Sequence, residues 1–219
     1  MGHVPELWRK LGWTFLILLA YRVGIHVPIP GVDARAMAEF FAQAQGTLFG
    51  VFDMFSGGGL RNVSIFALGV MPYISASIIM QLLQVLSPDL KRMAKEEGAA
   101  GRKQVTQYTR YATVLITVVQ GFGLAAMLEG MSSPHGAPLV TEAGAMFRFV
   151  TIMTMTAGTI LIMWLGVQIT AKGLGNGISL IIFSGIVAGI PTAIGHTYAF
   201  LRDTIPYVLL QIIGIILLA

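Results

Sequence analysis

The sequence predicts an all-α polytopic membrane protein, and three observations carry that prediction. Hydrophobic residues make up 55% of the chain, charged residues only 11%, and the mean hydropathy is +0.77, a balance far from that of soluble globular domains. The apolar residues gather into charge-poor runs close to the ~20 residues that a helix needs to cross the hydrocarbon. Lysine and arginine concentrate in alternate connections between those runs, which fixes an orientation.

A short amino-terminal segment, 1–10, precedes the first span, 11–28. The stretch MGHVPELWRKLGWTFLILLAYRVGIHVPIP has no small-residue cleavage site after its apolar part, so it is expected to remain as a span and not to be a removable signal peptide. An external loop, 29–51, leads to 52–64, where Gly57, Gly58 and Gly59 favour positive φ and separate any preceding helix from the next span. Irregular backbone at membrane depth is tolerated only against protein or in a water-filled cavity. The stretch is therefore expected to occupy a cavity, with a plain interfacial re-entrant loop as the simpler alternative. Span two, 65–86, carries Val70 and Ile74 one turn apart on one face, with Pro72 between them expected to bend the axis. Such spacing ordinarily means lipid contact or core and does not by itself indicate a pore.

A basic loop, 87–110, is followed by span three, 111–128, and an external loop, 129–148. Span four covers 149–169, a turn covers 170–177, span five covers 178–194 and a hinge loop covers 195–204. A last apolar run, 205–219, stops in mid-hydrocarbon without a basic or aromatic anchor, so it is expected to be part of a sixth span in a truncated chain. Arg9 and Lys10, then Lys91, Arg92, Lys95, Arg102, Lys103 and Arg110, then Lys172 mark the cytoplasmic side, which puts the amino terminus inside. Arg22 lies within span one, where a charge is costly; snorkelling or a buried partner is the ordinary explanation, and a functional site is the other.

Most chemistry is excluded. With no cysteine, the chain has no disulfide, thiolate nucleophile or thiolate metal ligand. GAAGRKQ, Gly98 to Gln104, lacks the phosphate-loop pattern. His3, His26, His135 and His196 are scattered without metal-ligand spacing, and no carboxylate lies deep in a predicted span, as a proton or cation relay would require. The sequon at Asn62 is close to the bilayer and reads as coincidence. Neither a catalytic group nor a cofactor or metal is expected.

Four ordered strings carry a resemblance: YRVGIHVPIPGVD (Tyr21 to Asp33), MFSGGGLRNVSIFALGVMPYISASIIMQLL (Met54 to Leu83), EEGAAGRKQVTQYTRYATV (Glu96 to Val114) and MWLGVQITAKGLGNGISLIIFSGIVAGIP (Met163 to Pro191). Together they closely resemble the bacterial SecY protein-translocation channel over nearly the whole chain. The resemblance implies ten spans in two inverted halves, with this chain supplying the first five-helix half, a short re-entrant plug helix and part of span six. It implies a passive channel in the bacterial cytoplasmic (inner) membrane and not an enzyme. Unfolded polypeptides would be conducted across, and transmembrane segments released sideways into lipid.

Residue roles follow from the same resemblance. The helix equivalent to 56 through about 66 is a plug closing the external side, with Phe52, Phe55, Gly57, Gly58, Gly59, Leu60 and Ile65 in it or beside it. Val70, Ile74 and Ile182 belong to an aliphatic pore ring, where Val70 is one methylene shorter than the isoleucine common there. Ser75, Ser77, Ile78 and Gln81 on span two and Gln120 on span three are lateral-gate candidates. Lys91, Arg92, Arg102, Lys103, Arg110 and Lys172 are candidate cytoplasmic partner contacts, although clustered lysines already satisfy the orientation rule. Gly173, Gly175 and Gly177 have a bland reading too, as residues that end span four and turn the chain. Implied partners are the SecE and SecG subunits, the motor ATPase SecA, the ribosome, signal sequences and nascent polypeptides, and lipid; no sequence-specific nucleic-acid binding is implied. Two rivals are half of a secondary transporter, which would need polar groups near the midplane, and a structural subunit of a membrane complex, which gives no reason for a mobile segment before span two.

Overall fold

The computed structural model describes residues 4–43, 48–95, 98–132, 135–190 and 194–195. Helices α1 (Val4–Gly24), α2 (Ala34–Gln43), α3 (Leu48–Phe55), α4 (Met71–Leu86), α5 (Pro88–Lys95), α6 (Gly98–Gly130) and α7 (Ala145–Lys172) follow in order, and α8 covers Gly177–Ile190. Among the described residues no strand forms; the isolated bridges are Pro28 with Ser64, Val32 with Val140 and Ser132 with Pro138. By length and composition α6 and α7 can cross a membrane, whereas α4 and α8 are shorter apolar helices. The expected run at 205–219 and most of the hinge loop lie outside the described residues.

The basic stretch 87–110, expected as a loop, is largely helical. Pro88 stands first in α5 and Asp89 lies in its first turn, both favourable at a helix amino terminus. The short helix packs against α4 and α6. α6 then begins at Gly98, well before the expected start of span three at 111. Span two shows the opposite change. Residues 65–70 form turns, and regular helix begins only at Met71. Pro72 is therefore in the first turn of α4, where its missing N–H costs no intrahelical bond. It starts the helix and does not bend it.

The α7–α8 turn is built from the glycine-rich string. α7 ends at Lys172, and the Gly173 N–H donates to the Ile169 carbonyl at 2.7 Å. Asn176 Oδ1 accepts the N–H groups of Ile178 at 3.1 Å and Ser179 at 3.3 Å, which caps α8. A side chain on Gly177 would meet the Gly166 carbonyl, so these two glycines bring α7 and α8 together. The structure thus supports the turn-making reading of this string.

Two apolar clusters organise the interior. One joins Ile29, Met37 and Phe41 to Leu128, Leu139 and Phe147 at the end where α6 meets α7. The other joins Ile17, Tyr21 and Ile25 of the α1 region to Ile162, Leu165 and Ile169 of α7 and Ile181 of α8. The segment 56–70 contributes to both, with Leu60, Val63 and Ala67 in the first and Phe66 and Val70 in the second.

The 56–70 segment and the aliphatic cluster beneath it

Helix α3 stops at Phe55 for a local reason. The Gly57 N–H donates to the Met54 carbonyl at 3.1 Å and the Gly58 N–H to the Asp53 carbonyl at 2.9 Å, with Gly57 at φ +67°. This paired arrangement is a Schellman cap, and it requires a left-handed residue that glycine supplies at little cost. The pattern repeats six residues on: the Val63 N–H donates to the Leu60 carbonyl and the Ser64 N–H to the Gly59 carbonyl, both at 2.9 Å. Here the left-handed residue is Val63, at φ +41°, a conformation that costs a β-branched side chain about 1–2 kcal/mol. Residues 56–66, expected as a helix, are consequently a chain of tight turns, because each successive cap ends helix growth before another turn is added.

Side chains stabilise the turns. Ser56 Oγ donates to the Asp53 carbonyl at 3.0 Å and accepts the Leu60 N–H at 3.0 Å. Asp53 Oδ1 accepts the Arg61 N–H at 2.7 Å. Of the three glycines, Gly57 and Gly58 have positive φ. Gly59 is needed for space: a Cβ there would lie 2.8 Å from the Phe66 carbonyl oxygen.

The segment rests on the carboxyl end of α1 and on α7 and α8. Tyr21 Oη donates to the Ser56 carbonyl at 3.2 Å, Arg22 Nη1 to the Gly57 carbonyl at 2.8 Å, and Asn62 Nδ2 to the Ile25 carbonyl at 3.4 Å. The Tyr21 ring stacks on Phe66 with centroids 5.5 Å apart. Backbone bonds fasten the far end: the Ile29 N–H donates to the Val63 carbonyl at 2.8 Å and the Ile65 N–H to the Val27 carbonyl at 3.0 Å. On α8, a Cβ on Gly57 would lie 2.9 Å from the Gly185 Cα.

The residues anticipated for a pore ring fall together. Val70, Ile74 and Ile182 share the cluster around Tyr21, Phe66 and Ile181, with Val70 fully packed and the two isoleucines partly open. Leu60 is buried in the neighbouring cluster, Ile65 packs against the ring cluster and Phe55 is half-buried; the Phe52 side chain lies outside the described residues. On α4, Ser75 and Ser77 are half-buried and Ile78 and Gln81 exposed, with Gln81 Nε2 donating to Ser77 Oγ at 3.2 Å. Gln120 is half-buried on α6, which packs against α4. Lys91 and Arg92 lie on α5, Arg102, Lys103 and Arg110 on the first half of α6, all exposed. Lys172, also exposed, stands over the Trp13 ring at 5.3 Å, away from those five in sequence but beside Arg9 and Lys10 in space. Nearby, Lys10 pairs with Glu6 at 3.1 Å, and that hydrogen bond and charge hold the Glu6 carboxyl below the usual carboxylate range.

The SecY family model matches residues 64–219. A protein translocase subunit SecY from Aquifex aeolicus is 46% identical over 215 residues, covering 97% of this chain and 50% of the relative. The chain belongs to the SecY family. It spans about half the length of the curated relatives it matches.

Among solved structures, a protein-conducting channel superposes with a TM-score of 0.63 at 18% identity, over 91% of this chain and 42% of that one. A SecY structure, described as one whose plug domain stabilises the closed state of the translocation channel and maintains a membrane seal, gives 0.55 at 20% identity over 84% and 36%. At these identities the likeness concerns the fold. Within this SecY half, three features of the site escaped sequence reasoning: the paired caps, the left-handed Val63, and the contact of Tyr21 and Arg22 with the 56–57 backbone. A charge inside an apolar span was the signal for Arg22; nothing in the sequence marked Tyr21 or Val63.

Proposed function

We propose that the chain forms the first half of a protein-conducting channel, with 56–66 as its external plug and Val70, Ile74 and Ile182 as its contribution to the pore ring. The single observation that carries this reading is the meeting of those three aliphatic residues directly against the turned segment, in a chain of the SecY family. Aliphatic walls hold no ion or ordered water, and they part for a polypeptide of any sequence because they demand no specific hydrogen bond. The exposed face of α4 around Ile78 and Gln81, with Gln120 on the adjoining α6, serves as one side of the lateral exit. The amino terminus lies in the cytoplasm of a bacterial cell with the channel in its inner membrane. SecE, SecG, the motor SecA and the ribosome are the proposed partners, and the basic face of α5 and early α6 is available to the motor or ribosome.

The test uses a full-length channel in which residues 1–219 are joined to the remainder of the Aquifex aeolicus relative and assembled with that relative's partner subunits. This half contains no cysteine, so with any cysteines of the added half removed, Ile74→Cys is the only thiol. A stalled secretory precursor carrying one cysteine is expected to form a disulfide with Ile74→Cys and not with Met153→Cys, which is exposed on α7. Stalling without a crosslink at Ile74→Cys overturns the ring assignment.

A further inference from the structure

We propose that Tyr21 and Arg22 form a latch that holds the 56–62 segment in its seat by its main chain, while the 63–65 strand-like bridge acts as the hinge. The inference rests on the channel reading above and adds to it the residues that position the segment.

Two kinds of attachment hold the segment to the α1 end. At 63–65 the contact is backbone to backbone, through Ile29 to Val63 and Val27 to Ile65, around the Pro28–Ser64 bridge. At 56–57 it is side chain to backbone, through the Tyr21 hydroxyl and the Arg22 guanidinium. The carbonyls they reach belong to Ser56 and Gly57, just past the end of α3; the Ser56 carbonyl also accepts the Gly59 N–H at 3.3 Å. A cation at that end also faces the negative pole of the helix dipole. Arg22 is half-buried within the first span, and its bond to Gly57 is charge-assisted, the stronger class of hydrogen bond.

Geometry separates the latch from the hinge. Residues 56–62 can leave Tyr21 and Arg22 by breaking the two side-chain bonds, the longer Asn62 contact and the cap bonds from Val63 to Leu60 and from Ser64 to Gly59, and by withdrawing Leu60 from its cluster, with the 27–29 to 63–65 backbone pairs intact. The opposite movement would break those pairs and expose Val63, which is buried. The left-handed Val63 marks the pivot, since a residue already held in a costly conformation gains by relaxing when its neighbours move. Since the latch binds carbonyls, it does not depend on the segment's side chains.

The test measures how fast a small, membrane-impermeant thiol reagent modifies Leu60→Cys, a position buried with the segment seated, in the full-length channel without precursor. Arg22→Met is expected to raise that rate at least about tenfold, the population shift that follows loss of one charge-assisted hydrogen bond. Tyr21→Phe keeps the ring stack on Phe66 and is expected to raise it about threefold, since it removes one neutral bond. Arg22→Lys keeps a donor and a charge and should return the rate to within about threefold of the parent. Thr117→Cys, buried on α6 away from the segment, should stay protected in every variant. An unchanged rate at Leu60→Cys in Arg22→Met, or a parallel rise at Thr117→Cys that reports general loosening, overturns the latch. Precursor transport by the unsubstituted channel is scored separately. Its absence, with the thiol result as expected, would remove the channel reading and leave the latch in place.

Discussion

Gly158 of α7 faces the Ile65 carbonyl with no room for a methyl group, and the Phe66 ring lies 3.3 Å from where its Cβ would be. The absence of a side chain there lets the turned segment lie directly on α7. Gly158→Ala is expected to cost about 1–3 kcal/mol, as inserted methyl groups do in packed interiors, and to lower the midpoint of unfolding in detergent. Alanine is otherwise the better helix former, so a rise in the midpoint would show that α7 and the segment are not in contact. None of this was legible in the sequence, because a glycine in an apolar span carries no mark of which backbone it approaches. Gly57 was legible: a run of three glycines before a span predicts an interruption, and α3 ends where that run begins.

At the scale of elements, α6 shows how a polar stretch hides a helix. Residues 98–110 carry too much charge to read as a span, so hydropathy placed the start near 111, yet the backbone continues unbroken from Gly98. A polar helix of this kind is stabilised by its neighbours α4 and α5 and by continuity with the apolar part, and none of these is visible to hydropathy. Farther along, Thr113, Thr117, Gly121 and Ala125 form a buried stripe at four-residue spacing. Thr113 and Thr117 satisfy their hydroxyls on the Thr109 and Thr113 carbonyls, each at 2.7 Å. Small residues in such a stripe allow close helix approach. Thr117→Val, which keeps the shape, is expected to stay within about 1 kcal/mol of the parent in detergent unfolding, whereas Thr117→Leu overfills the contact and loses about 1–3 kcal/mol. Equal effects of the two would show that the hydroxyl, and not the space, matters.

For the whole molecule, the all-α class was legible because crossing hydrocarbon imposes length and hydropathy together. The irregular backbone between α3 and α4 was legible only as an interruption, since its form depends on contacts with α1, α7 and α8 that are distant in sequence. The two long helices α6 and α7 are joined at their shared end by a further device: Arg148 Nε donates to Glu129 Oε2 at 2.7 Å, and Glu129 Oε1 accepts the Gly144 N–H at 2.9 Å. Glu129→Gln keeps the size and removes the charge; limited proteolysis within 131–144 is expected to become several-fold faster, because that loop loses the tie at its base. Unchanged cleavage would show that the Val32–Val140 and Ser132–Pro138 bridges hold the loop without the ion pair.

The 33 residues of α6 make a rod about 50 Å long at 1.5 Å per residue, against about 30 Å of hydrocarbon. Its leading turns, with Arg102 and Lys103, therefore stand clear of the lipid, while its later turns are wedged between α4 and α7. One unbroken helix, held at its polar end by α5 and along its apolar part by α4 and α7, thus joins the basic surface to the buried small-residue stripe without a joint between them.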